Sequence, residues 1–88
     1  MKHATDAALK RISDLLDQIR AKGGIREKKI GVFYRGSKAF LHFHEDPAGM
    51  FADLSTPGDK GFDRLRVDET GGADELLRRI DAILGLAA

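Results

Sequence analysis

Cysteine is absent from this chain, and the absence removes several chemistries at once. No disulfide framework can staple the fold, and no thiolate can serve as nucleophile or metal ligand. That composition fits a reducing compartment. The N-terminus lacks an apolar run of the signal-peptide kind, and no stretch approaches membrane-spanning length. The expectation is a soluble, cytoplasmic protein of bacterial type with no membrane partner. Neither His-x-x-x-His nor Glu-x-x-His occurs. The glycine pairs Gly23-Gly24 and Gly71-Gly72 are isolated and lack the phosphate-loop pattern. Ser13, Ser37 and Ser55 have no basic partner at a telling spacing, so the sequence points to no catalytic residue and calls for no cofactor. Binding is the expected class of function, ahead of catalysis. There is no internal repeat, low-complexity tract or linker, and 88 residues suffice for one domain, 1–88.

What is present centres on residues 30–54, where strand-like apolar runs are separated by two breaks with turn chemistry. At Arg35-Gly36-Ser37-Lys38, a two-residue hairpin turn of type II′ or I′ uses glycine's tolerance of positive φ. That turn pairs Arg35 with Lys38, and a regular ladder then sets Phe33 opposite Phe40, Val32 opposite Leu41 and Gly31 opposite His42. Alternation assigns Ile30, Val32, Tyr34, Ala39, Leu41 and Phe43 to the core. The other face receives Gly31, Phe33, Arg35, Lys38, Phe40, His42 and His44. A slip of one residue exchanges the faces. The second break, Asp46-Pro47-Ala48-Gly49, suits a type I turn that pairs Glu45 with Met50, His44 with Phe51 and His42 with Asp53. Met50, Ala52 and Leu54 then join the core. A bulge at Gly49 reverses that parity, and the apolar match favours the plain turn.

Helices flank this centre. Ala8, Leu9, Ile12, Leu15, Leu16 and Ile19 recur at helical spacing behind a Thr5 or Asp6 cap, and Lys22-Gly23-Gly24 closes the helix. Residues 25–29 read as a linker, and 1–4 as a frayed end. Residues 55–61 form a loop by composition. Residues 62–67 alternate as a fourth strand, with Arg64 and Arg66 on the His42 face, although FDRLRV also reads as a helical turn. Residues 73–84 form the last helix, striped by Leu76, Leu77, Ile80, Ile83 and Leu84 and ended by Gly85. The sum is an α+β two-layer sandwich: helix, four-stranded antiparallel meander, helix, with both helices on one sheet face.

The uncovered face is where function is expected. Its binding residues are Phe33, Arg35, Phe40, His42, His44, Phe51, Arg64 and Arg66. Three phenylalanines on a surface suit a protein interface, most simply a homodimer stacked sheet on sheet. The bland counterpart is cover by the 55–61 loop or the chain ends. A second reading is nucleic acid. Aromatic rings can stack bases, and Arg20, Lys22, Arg26, Lys28, Lys29, Arg35 and Lys38 form a basic segment. Residues 1–44 carry ten Lys/Arg against four Asp/Glu, and residues 45–88 carry five against ten. The basic segment can equally pair with the acidic half. A third reading is a metal-dependent activity at His42, His44 and Asp53. Side chains at i and i+2 of a strand share a face, so His42 and His44 can ligate one ion with Asp53 across the ladder. The bland version is two polar residues on a wet face.

The segment Val32-Phe33-Tyr34-Arg35-Gly36-Ser37-Lys38-Ala39-Phe40, preceded by a helix and followed by strands, resembles the start of the sheet in YjbR/MmcQ-like small bacterial proteins. The resemblance implies a helix-sheet-helix sandwich and DNA binding through a double-wing arrangement. This chain has no counterpart to the aromatic-basic Asn-Lys-Arg-His-Trp type segment that those proteins carry late. The resemblance therefore extends to the fold and to no site residue.

Overall fold

Both hairpin turns form in the computed structural model, which describes residues 2–55 and 61–86. At the first, φ is positive at Gly36 (64°) and not at Ser37, which selects the type II′ sense over I′. At the second, Ala48 N–H donates to Asp46 Oδ1 (2.8 Å), and Asp46 pairs with Gly49. The plain turn is the one adopted, and Met50, Ala52 and Leu54 are buried as expected.

The described elements run β1 (Lys2–His3), α1 (Asp6–Arg11), α2 (Ser13–Arg20), β2 (Arg26–Lys29), β3 (Val32–Arg35), β4 (Lys38–Asp46), β5 (Gly49–Ser55), β6 (Phe62–Arg66) and α3 (Gly72–Leu84). The antiparallel sheet has the order β2-β3-β4-β5-β6, and β1 pairs with the far end of β4. The fold is the expected α+β sandwich, with two strands more than the meander of four. Residues 2–3 are paired to Glu45 and His44 and are not frayed. Residues 26–29, expected to be a linker, form an edge strand opposite β3. That strand reads Arg-Glu-Lys-Lys and carries no apolar residue, so hydrophobic alternation could not announce it. Residues 62–66 form a strand and not a helical turn.

The main departure lies between β3 and β4. Arg35 pairs with Lys38 and Tyr34 with Ala39, but Phe33 then pairs with Leu41 and Val32 with His42. One residue, Phe40, is extra on β4, which is the definition of a β-bulge. The bulge inverts the parity of β3 and leaves that of β4 from Leu41 onward as expected. Phe33 (1 % exposed) therefore points into the core, while Val32 and Tyr34 face outward and Ile30 is 54 % exposed. Phe40 and Leu41 are both buried although adjacent. Burying a phenylalanine is worth about 1.5–3 kcal/mol. The bulge thus takes two phenyl rings out of water, and it leaves the tyrosine, whose hydroxyl prefers water, on the outer side.

The helices cover the inner face. Thr5 caps α1, its Oγ1 accepting from Ala8 N–H (3.3 Å). The expected single helix is interrupted at Ile12 (φ −115°, ψ 26°), yet its stripe continues, with Ala8, Leu9, Ile12, Leu15, Leu16 and Ile19 all buried. The β2–β3 turn tucks beneath it. Gly31 has φ +81°, and a Cβ there would come within 2.8 Å of Leu9 Cδ2. Leu76 and Ile80 bring α3 into the same core, and Gly85 closes it in the left-handed region. Lys22 Nζ, at the end of the first helical segment, meets Asp81 Oδ1 of α3 at 2.5 Å. Among the described residues, no helix is long and apolar enough to cross a membrane.

The bulged register makes a sharp prediction for urea unfolding. Phe33→Ala and Phe40→Ala should each cost about 3–5 kcal/mol, a large share of the ~5–15 kcal/mol available to a domain. Val32→Ala should cost under about 1.5 kcal/mol. The regular register requires Val32 to be the costly position, so the reverse order would contradict the bulge.

Candidate metal centre on the outer sheet face

The outer face is built by the middle of the ladder. His42 pairs with Asp53, and Asp53 pairs with Arg64, so these three residues form one row across β4, β5 and β6. His44 lies one step along β4, opposite Phe51. Asp53 is 8 % exposed and is the buried charged residue of the described chain. A carboxylate there needs partners, because an uncompensated buried charge is expensive. Arg64 supplies two: Nε donates to Oδ1 (2.8 Å) and Nη2 to Oδ2 (3.1 Å). This side-chain hydrogen bonding holds the Asp53 carboxyl below the usual aspartate range, against the opposing effect of burial.

His44 reaches the same carboxylate, and His42 reaches His44. His44 Nε2 is 3.1 Å from Asp53 Oδ2, and His42 Nδ1 is 3.0 Å from His44 Nε2. The rings meet edge to face, with centroids 5.1 Å apart. Phe62 packs against the His42 ring at 4.7 Å. His44 Nδ1 is buried and has no hydrogen-bond partner among the described residues. One ligand atom from each of His42, His44 and Asp53 lies within 4.8 Å of the other two. In a tetrahedral zinc site, bonds of about 2.0–2.1 Å put neighbouring donors about 3.3 Å apart. The two short separations fall close to that edge length.

The other expected binding residues are dispersed. Phe33 and Phe40 are in the core, so the surface patch of three phenylalanines does not exist. Phe51 stays on the outer face, half-buried, with the Arg66 guanidinium 5.9 Å from its ring. Arg66 is held by Asp68 (2.8 Å), Glu69 (3.0 Å) and the Ala48 carbonyl (2.5 Å). Arg35 shares the parity of Phe33 and sits at the hairpin tip, away from the histidines. The basic segment is partly neutralised. Arg20 pairs with Glu27 (2.6 Å) and Asp17 (3.0 Å), Lys22 pairs with Asp81, and Lys28 lies 4.3 Å over the Tyr34 ring. Cover by residues 56–60 or 87–88 lies outside the described residues. Arg64 is among the binding residues expected from the sequence, without its partner Asp53; Phe62 is the member of the centre that the sequence reading misses. The expected His42–Asp53 pairing, extended one strand further, reaches Arg64.

No family model matches this chain, and neither a curated protein nor a solved structure does. The likeness to the YjbR/MmcQ-like proteins therefore gains nothing from these comparisons, and the centre is read from its own geometry.

The Asp53–Arg64 pair carries a signed pH dependence. A carboxyl depressed by folding stabilises the protein above the unfolded aspartate value of about 3.9. That contribution is lost as pH falls through the lower folded value. Asp53→Asn should therefore destabilise the metal-free protein at neutral pH, and the deficit should shrink as pH falls below about 3.9. Urea midpoints of both proteins across that range provide the check, and a deficit independent of pH would rule the account out.

Proposed function

We propose that this protein is a small metal-binding module that holds a divalent ion of the zinc type at His42, His44 and Asp53 on the outer face of its sheet. The observation that carries the proposal is the approach of one ligand atom from each of His42, His44 and Asp53 to within 4.8 Å of the other two. Three donors around one point are hard to satisfy with protons. A single proton on His44 Nε2 faces both the Asp53 oxygen at 3.1 Å and His42 Nδ1 at 3.0 Å. A cation satisfies all three lone pairs together. Two imidazoles and one carboxylate suit borderline ions such as zinc, and three protein ligands leave one position open.

The competing readings lose support on specific grounds. Stacking of two copies on a phenylalanine patch lacks its premise, because Phe33 and Phe40 are core residues. Base stacking on the outer face has to displace the chain's own cations from Tyr34 and Phe51.

Zinc titration of ¹⁵N-labelled protein tests the proposal. The ring resonances of His42 and His44 should shift together and saturate near one equivalent. His42→Ala and His44→Ala should each weaken binding by more than the ~10–100-fold that the loss of a supporting outer-shell partner costs. Unchanged ring spectra at several equivalents of zinc would end this reading.

A further inference from the structure

Arg64 and Arg66 project from the same face of β6 but are held differently. Arg66 is tied to two carboxylates and a carbonyl. For Arg64, Asp53 is the hydrogen-bond partner among the described residues, and its side chain is 52 % exposed on the edge strand. The two arms of its fork are not equivalent with respect to the histidines. Nε binds Oδ1, whereas Nη2 binds Oδ2, the oxygen 3.1 Å from His44 Nε2. Oδ2 is therefore the oxygen placed to ligate an ion shared with the histidines. An ion there competes with the Nη2 bond and leaves the Nε bond to Oδ1 in place.

We infer that the centre takes a small oxyanion as a second ligand, held jointly by the metal's open position and by the Nη2 arm of Arg64. The inference rests on the metal reading above. Its logic is charge and geometry. A dication beside one carboxylate and one guanidinium leaves the centre net positive, and a partly buried net charge favours an anion. Arginine's planar fork matches phosphate and carboxylate oxygens, and here it stays anchored through Nε while Nη2 donates. Asp53 thereby serves as metal ligand through one oxygen and as guanidinium anchor through the other. Arg64 acts as a ligand-binding residue, and the chemical class recognised is an oxyanion. Phosphate and carboxylate share this chemistry, and methylphosphonate and acetate probe the two sources separately.

The experiment reads zinc affinity calorimetrically, with the Arg64 Nε–H resonance followed alongside. Wild-type protein is titrated with zinc in a non-coordinating buffer, alone and with methylphosphonate or acetate. At least one anion should tighten zinc binding about tenfold. It should shift the Arg64 Nε–H signal in the zinc-loaded protein and leave it unmoved in the zinc-free protein. Arg64→Ala should bind zinc at least as tightly as wild type without anion, because the competing arm is gone, and should lose the anion effect. Arg64→Lys keeps the charge without the fork, guards against a folding defect and should recover only part of the effect. Zinc binding with no anion effect, or an anion effect that survives Arg64→Ala, would overturn the oxyanion inference and leave the metal reading standing. Equal anion shifts with and without zinc would reduce it to an adventitious ion only. Absence of zinc binding would overturn both.

Discussion

The extra residue in β4 is the constraint on which the rest of the structure depends. Phe40 has no partner in β3, so the two strands of the first hairpin present opposite parities to the helices on either side of it. Without the bulge, Val32 and Tyr34 would sit under the helices, with Phe33 and Phe40 in water. With it, two phenyl rings enter the core and the hairpin gains the local twist that bulges bring. The consequence reaches the outer face as well. Val32 and not Gly31 stands beside His42, so the histidine row is flanked by a side chain where a regular ladder would put a bare backbone.

The regular part of the sheet holds the candidate centre. From Leu41 to Asp46, β4 runs against β5 without interruption, and β5 runs the same way against β6. Two uninterrupted ladders fix three side chains in a row without help from any loop. Sites built on strands are held more precisely than sites on loops. Asp53 gains most from this arrangement, because its carboxylate is walled by the sheet on one side and by Arg64 and His44 on the others. The groups that keep it charged also keep it oriented.

Legibility of the sequence follows the same division. The fold class, the turn at 46–49 and the pairing of His42 with Asp53 were readable because hydrophobic alternation is unbroken there and one face is buried. The register of the first hairpin is not legible in the same way, because Val32, Tyr34 and Phe33 are all apolar enough to enter a core, and alternation cannot rank them. A rank by ring size would have favoured Phe33. Residues 26–29 were invisible as a strand because both faces of an edge strand can be polar. The cluster of His42, His44 and Asp53 is legible in the sequence, and the contacts that support it are not. Arg64 and Phe62 belong to it through β6, whose register a run of two alternate arginines does not specify.

The charged edge strand has a consequence for the behaviour of the protein in concentrated solution. An unpaired strand edge is a template on which another chain can extend the sheet. Here one edge presents Arg26, Glu27, Lys28 and Lys29, and the other presents Asp63 and Arg64 within β6. A strand arriving at either side has to strip water from several ionised groups in return for a few backbone hydrogen bonds. The same composition that hides β2 from pattern reading therefore acts as a barrier to fibril-like growth.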